Sequence, residues 1–386
     1  MSILFASEEG WVISHLEYVN KMYKNVLNDD ALSPLMFNKT LFEINSQYLR
    51  LNQVAQSQGT QGTQGDEIQS KCRKRKRSKS LPEQDSTETN RVKISFEKIV
   101  RLAKESGLFN DDVVPDNNKA ARMVSLKFYT DTFTDAKENF YGCNDTDGAI
   151  VSQMHGKKYV FPKRCKFYCY DVEDIPRKLE CNNRYDFILL DPPWWNKSIR
   201  SKKTNYVEAS YKMMYNKDLV KIPISKLLSE RGIIAIWCTN APHHLNSIFK
   251  ELFPAWGLTY RAKWYWVKVT KAGETICNFN TANGKQPYEL IVLGSVLKDN
   301  GIQIPDGKVL VSIPSAVHSH KPPIIELVKE YLPKEANCLE IFARYLLAGF
   351  TSWGLEVLKF QHLWLYSVTG QEKETREKLR SNDLDS

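Results

Sequence analysis

Short, nearly continuous apolar runs in the C-terminal two-thirds of the chain constrain its fold most strongly. Phe187–Leu190 and Ile233–Trp237 place apolar residues at consecutive positions, whereas a strand with one solvated face alternates apolar and polar residues. Such runs suit a sheet that helices cover on both faces. The sequence therefore predicts an α/β fold with an open, mostly parallel sheet, and a ligand site at the carboxyl ends of its strands.

Turn residues and periodicity divide this part of the chain into alternating elements. The predicted strands are Phe167–Tyr170, Tyr185–Leu190, Gly232–Cys238, Ala262–Lys268, Leu290–Leu293, Cys338–Phe342 and Trp353–Val357. The predicted helices of the same region are Lys217–Leu228, His243–Leu252 and Pro322–Tyr331. Helical spacing of apolar residues predicts two further helices, Trp11–Val26 and Val92–Leu108, nearer the N-terminus.

Composition suggests how the chain is divided. Residues 57–92 are rich in Gln, Gly, Ser and Thr around a basic run, and such a segment buries too little apolar surface to offset its chain entropy. We expect a disordered linker there. The predicted organisation is an N-terminal helical region at 1–56, this linker, a helical accessory segment at 93–150, the α/β domain at 151–368 and a charged tail at 369–386.

The positive charge is concentrated in one place. Lys71–Lys79 holds seven basic residues of a chain whose net charge is +9, which leaves only +2 for the rest. A clustered Lys/Arg run on a linker is typical of a nuclear-localisation element or a polyanion-binding patch, although a solvated run without a partner is the alternative. The first interpretation predicts an import receptor as a partner and a nuclear protein, with the cytoplasm as a second compartment.

Several classes of protein are disfavoured by the same sequence. No stretch approaches the roughly 18 apolar residues of a membrane span, so neither membrane insertion nor secretion is expected. The eight cysteines are scattered, which favours reduced thiols. Cys165 and Cys169 lie four apart, but no His or Cys pair follows at zinc-ligand spacing, so we expect no metal.

The segment with the clearest chemistry is Asp191-Pro192-Pro193-Trp194, which follows a predicted strand. It combines a carboxylate, a stiff backbone that lacks two N–H donors, and a flat ring. The Asp191 carboxylate and a free Pro192 carbonyl are acceptors, which suit an exocyclic nucleobase amine. Trp194 would stack on the base and orient the amine toward a sulfonium methyl donor. A strand-ending turn with a packed tryptophan is the structural alternative.

This loop resembles the DPPW signature of the S-adenosylmethionine-dependent adenine-N6 methyltransferases. Further blocks match in order over roughly residues 160–365, and as a set they resemble the methyltransferase-like protein 4 group of this family more than the paired messenger-RNA subunits. The blocks are Trp194–Ser198, Trp264–Lys268, Lys285–Glu289, His318–Pro323, Leu339–Arg344 and Trp353–His362. The resemblance implies a Rossmann-like methyltransferase sheet in permuted motif order, preceded by an N-terminal helical accessory region.

The resemblance also implies roles for individual residues. S-adenosylmethionine is the implied cofactor, held by Asp171, Val172, Asp191, Lys321, Phe342, Arg344 and Glu356. Catalysis is implied for Asp191, Pro192, Pro193 and Trp194, and substrate binding for Asn196, Lys197, Ser198, Tyr211, Glu289 and Lys321. Two departures lie beside these positions. Leu355 stands where the family usually has Asn, and Tyr345 stands where it tends to have a polar residue, which leaves a weakly active or inactive relative as an alternative.

The substrate is less constrained. Asn196–Lys203 holds four cations and precedes Tyr206 and Tyr211, a mixture that can pair phosphates and stack unpaired bases, or equally form a solvated loop. The resemblance implies adenosine in RNA, with a small nuclear RNA carrying a 2′-O-methylated target as the expected substrate. DNA is the runner-up, because the 2′-hydroxyl contacts that separate the two are not readable from sequence. We expect a monomer.

Overall fold

A computed structural model describes residues 2–28, 31–48, 83–109, 116–132, 139–179, 184–195, 214–279, 285–296 and 303–368. The strands, in chain order, are β1 Ile3–Ser7, β2 Gly10–Ile13, β3 Val26–Asn28, β4 Ala31–Ser33, β5 Leu35–Phe37, β6 Phe140–Asn144, β7 Ala149–Met154, β8 Lys157–Phe161, β9 Cys165–Cys169, β10 Tyr185–Leu190, β11 Leu228–Cys238, β12 Thr259–Lys268, β13 Tyr288–Ser295, β14 Val309–Ser312, β15 Cys338–Ile341, β16 Phe350–Trp353 and β17 Tyr366–Val368.

Helices are short apart from two near the N-terminal third. They are α1 His15–Met22, α2 Glu83–Glu105, α3 Lys119–Thr132, α4 Ile175–Lys178, α5 Asn216–Leu219, α6 Ile224–Leu227, α7 Pro242–Ser247, α8 Phe253–Trp256 and α9 Ile325–Val328. A π-helical turn, Ile248–Leu252, joins α7 to α8, and 3₁₀ turns lie at Lys39–Phe42, Val172–Asp174, Lys329–Tyr331, Lys359–Gln361 and Leu363–Leu365. No described helix combines the length and the apolar character that crossing a membrane requires.

The central sheet has eleven described strands in the order β1-β2-β14-β12-β13-β11-β10-β15-β16-β9-β6. Strand β13 is antiparallel to both neighbours, and the edge strands β1 and β6 are antiparallel to theirs. The other eight run in one direction. Their carboxyl ends therefore meet at one edge, which is where open sheets of this kind bind ligands. The predicted fold class is confirmed.

Both faces of the sheet are buried, as the continuous apolar runs predict. Along β10, Ile188 and Leu190 join a core on one face with Phe96 and Ile99 of α2. Phe187 and Leu189 point to the opposite face, where they share a second core with residues of the N-terminal segment. Because successive strand residues point to opposite faces, an all-apolar strand requires cover on both sides.

The predicted strands at Tyr185–Leu190, Gly232–Cys238, Ala262–Lys268, Leu290–Leu293, Cys338–Phe342 and Phe167–Tyr170 coincide with described strands, within a few residues at their ends. The helix at His243–Leu252 lies within α7 and the π-turn, and Val92–Leu108 overlaps α2. Pro322–Tyr331 shortens to α9 and a 3₁₀ turn. Strand β14 was not predicted.

Three predicted elements are wrong. The helix at Trp11–Val26 is strand β2 followed by the shorter α1, because Gly10–Val12 pairs with Val309–Val311 of β14. The helix at Lys217–Leu228 is two single turns, α5 and α6, and Leu228 already begins β11. Strand Trp353–Val357 is displaced to Phe350–Trp353, since Gly354 begins the turn that carries Glu356.

The predicted boundaries near the N-terminus also need correction. Residues 2–48 hold five strands and the short helix α1, rather than a helical region: β1 and β2 extend the central sheet, β3 and β4 join β7 and β8 in a four-stranded sheet, and β5 pairs with β17. Residues 83–92 of the predicted linker lie in α2, whose buried Val92 and Phe96 provide the apolar surface that the linker composition lacks. Residues 140–150 of the predicted helical segment include β6 and the start of β7. The rest of the linker, with Lys71–Lys79, and the tail 369–386 lie outside the described residues.

Candidate active site

The site is assembled at the carboxyl edge of four neighbouring strands. Asp191 follows β10 directly, and its backbone N–H donates to the Ile341 carbonyl of β15 at 3.3 Å. Asp171 follows β9, and Glu356 follows β16. Since these strands lie side by side in the order β10-β15-β16-β9, residues far apart in sequence are brought to one edge. This is the ligand-binding edge that the sequence predicts.

Asp191 lies in a buried network of charges. The Arg344 guanidinium donates to its Oδ2, and Lys321 Nζ lies 3.8 Å from its Oδ1. The same Arg344 reaches Glu356 through Nε at 3.4 Å, and Lys359 Nζ lies 3.1 Å from the other Glu356 oxygen. The side chains of Arg344 and Asp191 are only 9% and 10% exposed, so solvent screens their attraction weakly. Arg344 therefore ties the motif loop to the turn after β16.

Glu289 forms a second part of this network, because its carboxylate pairs with both Lys321 and Lys268. Burial alone would raise the pKa of Glu289, but the charges of Lys268 and Lys321 hold it well below its ordinary value. Burial lowers the pKa of Lys268. The Lys321 ammonium also lies 5.3 Å from the Trp237 ring centre. Lys268 was missed by the site prediction, although it ends the quoted block Trp264–Lys268.

Trp194 anchors the motif loop to the neighbouring strand β11. The Trp194 indole N–H donates to the Trp237 carbonyl at 2.7 Å, and the Trp194 backbone N–H donates to the Pro192 carbonyl at 2.8 Å. The Pro192 carbonyl is therefore not free, contrary to the sequence interpretation, although a carbonyl can accept a second hydrogen bond. Trp194 is only 6% exposed. Its stacking on a base stays a prediction, and in this structure the ring supports the loop.

Most of the residues predicted for the cofactor lie on the β9 and β15–β16 side of Asp191, whereas Lys321 lies toward β11 and β13, next to Glu289. Asp171 is exposed, and its side chain accepts from the Glu173 N–H at 3.1 Å, which begins the 3₁₀ turn. Its carbonyl accepts from the Trp353 indole at 3.1 Å, and Val172 is buried beside it. Phe342 is buried with a positive φ of 66°, a strained conformation for an aromatic residue that is typical of functional sites.

The turn after β16 explains the position of Leu355. A Cβ on Gly354 would lie 2.6 Å from the Ala343 carbonyl oxygen, so only glycine allows the two strand ends to approach this closely. The following Leu355 is 39% exposed, and its carbonyl accepts from the Cys169 thiol.

Tyr345, the other departure from the family pattern, is buried, with 5.5 Å between the centres of its ring and the His320 ring. It therefore contributes to the core.

Glu340 is a further buried acid that the site prediction did not include. It lies on β15, 3% exposed, and its Oε2 has no hydrogen-bond partner among the described residues. Burial, followed by the charge of Asp191, raises the pKa of Glu340 to about 8. The sequence around Glu340 contains nothing that distinguishes this residue from any other glutamate on a strand.

The remaining predicted substrate residues cannot be placed. Asn196, Lys197, Ser198 and Tyr211 lie outside the described residues. Of the substrate residues predicted, the structure brings Glu289 and Lys321 to Asp191, and Pro193 lies in the same loop. No group of three or more His, Cys, Asp or Glu with metal-binding geometry occurs in the described part of the chain. The six cysteines within that part are free thiols.

The side chains at this edge fit the chemistry of S-adenosylmethionine. Lys321 and Arg344 offer cations to a carboxylate, and Glu356 offers acceptor oxygens to ribose hydroxyls. The buried ring of Phe342 and the side chain of Val172 offer apolar surface to a planar base. These residues would hold the cofactor.

Comparison with known proteins identifies this region. Residues 185–356 match the sequence model of the MT-A70 family. The match covers somewhat less than half of the chain. The matched span begins with β10 and ends at Glu356, so it contains the motif loop, Glu289, Lys321 and Arg344, whereas Asp171 and β9 lie before it.

Several curated proteins are similar to parts of this chain. The mouse N(6)-adenine-specific methyltransferase METTL4 is 37% identical over 230 residues, which cover 57% of this chain and 47% of that protein. A Caenorhabditis elegans DNA N6-methyl methyltransferase is 30% identical over 60% of this chain and 62% of its own length. A Cryphonectria parasitica N6-methyladenosine RNA methyltransferase, MTA1, is 38% identical over 46% of this chain and 53% of its own.

The chain thus spans about half the length of the METTL4 relatives that it matches. The resemblance predicted from the six sequence blocks, to the adenine-N6 methyltransferases and within them to methyltransferase-like protein 4, is confirmed by the MT-A70 match and by the similarity to METTL4.

Proposed function

We propose that this protein uses S-adenosylmethionine to methylate the N6 amine of adenine in a nucleic acid. The observation that carries the proposal is the position of Asp191. It begins the loop at the carboxyl end of β10 and is paired with Arg344 and Lys321, and both cations belong to the network that fits the cofactor. One network therefore connects the residues that would hold the amine with those that would hold the methyl donor.

The chemistry asked of the residues is positioning. The adenine amine is a weak nucleophile because its lone pair is delocalised into the ring. Hydrogen bonds from its two N–H groups to the Asp191 carboxylate and the Pro192 carbonyl would aim that lone pair. S-Adenosylmethionine, when bound, supplies an electrophilic methyl group. Arg344 and Trp194 hold the two acceptors in place, and the surplus proton leaves to water after transfer.

We propose RNA as the substrate, and specifically a small nuclear RNA whose target adenosine already carries a 2′-O-methyl group. Support comes from the resemblance to the METTL4 group and from two fungal relatives named as N6-methyladenosine RNA methyltransferases. The Caenorhabditis elegans relative is named for DNA, which makes DNA the second candidate. In either nucleic acid the target base has to be unpaired or extruded, because pairing engages its amine.

We also propose that the protein acts as a monomer in the nucleus, reached through an import receptor that binds Lys71–Lys79. The support is the concentration of seven cations in that segment. A nucleic-acid-binding relative that has lost turnover is the third candidate, and the hydrophobic Leu355 beside Glu356 is the feature that favours it.

Transfer of labelled methyl from S-adenosylmethionine tests the proposal. The substrates are matched RNA and DNA oligonucleotides, each with one unpaired adenine, plus an RNA whose adenosine is 2′-O-methylated. The control variant is Asp191→Asn, which keeps the size of the side chain but loses its charge. Label on RNA that disappears in the variant supports the proposal. Label on DNA alone favours the second candidate, and cofactor binding without any label favours the third.

A further inference from the structure

His244 links the two chain segments that flank residues 196–213. It lies in α7, buried to 3% exposure. Its Nε2 lies 3.0 Å from the Trp195 carbonyl oxygen, and its Nδ1 lies 3.1 Å from Oδ1 of the Asn216 side-chain amide. The ring also packs on the Trp194 indole, with 4.8 Å between centroids. Both ring nitrogens are thus committed to residues of the motif loop or of the segment that returns to it.

The partners determine the protonation of the ring. A carbonyl oxygen only accepts, so Nε2 carries the proton. Burial, followed by the charge of His243, lowers the pKa of His244 to about 4, and the ring is therefore neutral at physiological pH. A neutral ring protonated on Nε2 has an acceptor at Nδ1, which now faces the Asn216 Oδ1. The matched arrangement therefore requires the Asn216 amide rotated by about 180°, so that its N–H group takes the place of Oδ1 and donates to Nδ1. Each of the three polar groups then has one matched partner.

The returning segment is held to the loop at a second point. The Met214 N–H donates to the Pro193 carbonyl at 3.1 Å, and Met214 forms an isolated parallel bridge with Trp194. Asn216 follows two residues later and begins α5. The contacts of His244 and of Met214 together fix Pro193, Trp194 and Trp195. They leave Asp191 and Pro192 little freedom to move, because these two precede the fixed residues directly.

We propose that His244 is a positioning residue for methyl transfer, which acts by locking Trp195 to Asn216 and so holding the Asp191–Trp194 loop against the target base. This inference rests on the proposed function. Within the described residues the hydrogen bonds of His244 go to Trp195 and Asn216 and that of the Asp191 carboxylate to Arg344, so His244 acts through the loop. Loss of the lock should reduce turnover of the oligonucleotide and leave cofactor affinity unchanged.

Steady-state kinetics of four variants test this role. His244→Phe keeps a ring against Trp194 and removes both hydrogen bonds, whereas His244→Gln places an amide N–H near the position of Nε2. Asn216→Leu removes the other partner. Asn246→Leu is the matched control, since Asn246 is exposed on the same helix. We expect His244→Phe to lower kcat/KM for the oligonucleotide about tenfold or more, as small misplacements of reacting groups do, with an unchanged Kd for S-adenosylmethionine.

The expected pattern is specific to positioning. His244→Gln should recover most of the lost kcat/KM, Asn246→Leu should match the wild type, and Asn216→Leu should add little to His244→Phe. Nitrogen-15 NMR of labelled histidine should show a neutral ring protonated on Nε2. Wild-type kcat/KM in His244→Phe, a parallel loss of cofactor affinity, or an Nδ1-protonated ring would overturn the inference. Absence of turnover in the wild type would overturn the proposed function as well.

Discussion

Replacing Arg344 by methionine removes the cation that joins Asp191 to Glu356. Methionine keeps much of the length of the side chain and loses its charge. Asp191 is then left with Lys321, whose Nζ is 3.8 Å away, and Glu356 keeps Lys359 at 3.1 Å. Both Asp191 and Arg344 are at least nine-tenths buried, so water cannot take the place of the lost guanidinium without rearrangement.

The magnitude follows from that burial. Removing one partner of a buried ion pair costs about 3–5 kcal/mol, and the remaining lysines favour the lower end of this range. We therefore expect Arg344→Met to lower the free energy of unfolding by about 3 kcal/mol. Adding Asp191→Asn removes the stranded charge, so the double variant should lose less than the sum of the single losses, with a coupling of about 1 kcal/mol or more.

Urea unfolding followed by tryptophan fluorescence measures these values. Arg177→Met is the matched control, because Arg177 is 74% exposed and pairs with Asp174 at the surface, where ion pairs contribute about 0–1 kcal/mol. If Arg344→Met proved as stable as this control, or if the two site substitutions were additive, the buried network would not hold the loop as described.

Three further predictions concern other parts of the chain. Because burial raises the pKa of Glu340 to about 8, its neutral form contributes stability that is complete below pH about 4.5 and is lost as pH rises toward 8. Denaturation at several pH values should show wild type losing up to about 4–5 kcal/mol relative to Glu340→Gln over that interval, and parallel curves would refute the assignment. Glu356→Ala should weaken S-adenosylmethionine binding in calorimetry by about tenfold, the effect of losing one or two hydrogen bonds, and an unchanged Kd would exclude a ribose role. Deleting Lys71–Lys79 should move a nuclear protein to the cytoplasm without loss of turnover in vitro, and an unchanged distribution would reject the import role.

The part of the fold that sequence predicts is the part in which local pattern and burial agree. Tyr185–Leu190 is apolar throughout because both faces of the sheet are covered, and the pattern alone shows it. Trp11–Ile13 has spacing compatible with a helix, yet it pairs with β14. Pairing with a distant segment is a tertiary contact that overrides weak local propensity. The short strand β14 is also missed by the sequence pattern, because it too is formed by pairing with distant segments.

The candidate active site likewise contains residues that the sequence identifies and residues that it does not. Asp191 was identified because a strand-ending carboxylate beside two prolines has few other uses, and Lys321, Arg344 and Glu356 were identified through the resemblance. Lys268 and His244 were missed, since a lysine or a histidine in sequence gives no sign of being buried against a specific partner. Burial of polar groups is decided by packing between elements, which the local pattern does not contain.

The pairing of β2 with β14 has a consequence for how the chain is made. The two strands are separated by about 300 residues, which a ribosome adds in roughly 15–60 s at about 5–20 residues per second. During that interval Val12 and Ile13 have no strand to complete their burial. Strand β2 is therefore synthesised long before the strand that it pairs with, and until then the nascent chain presents an apolar edge that chaperones can recognise.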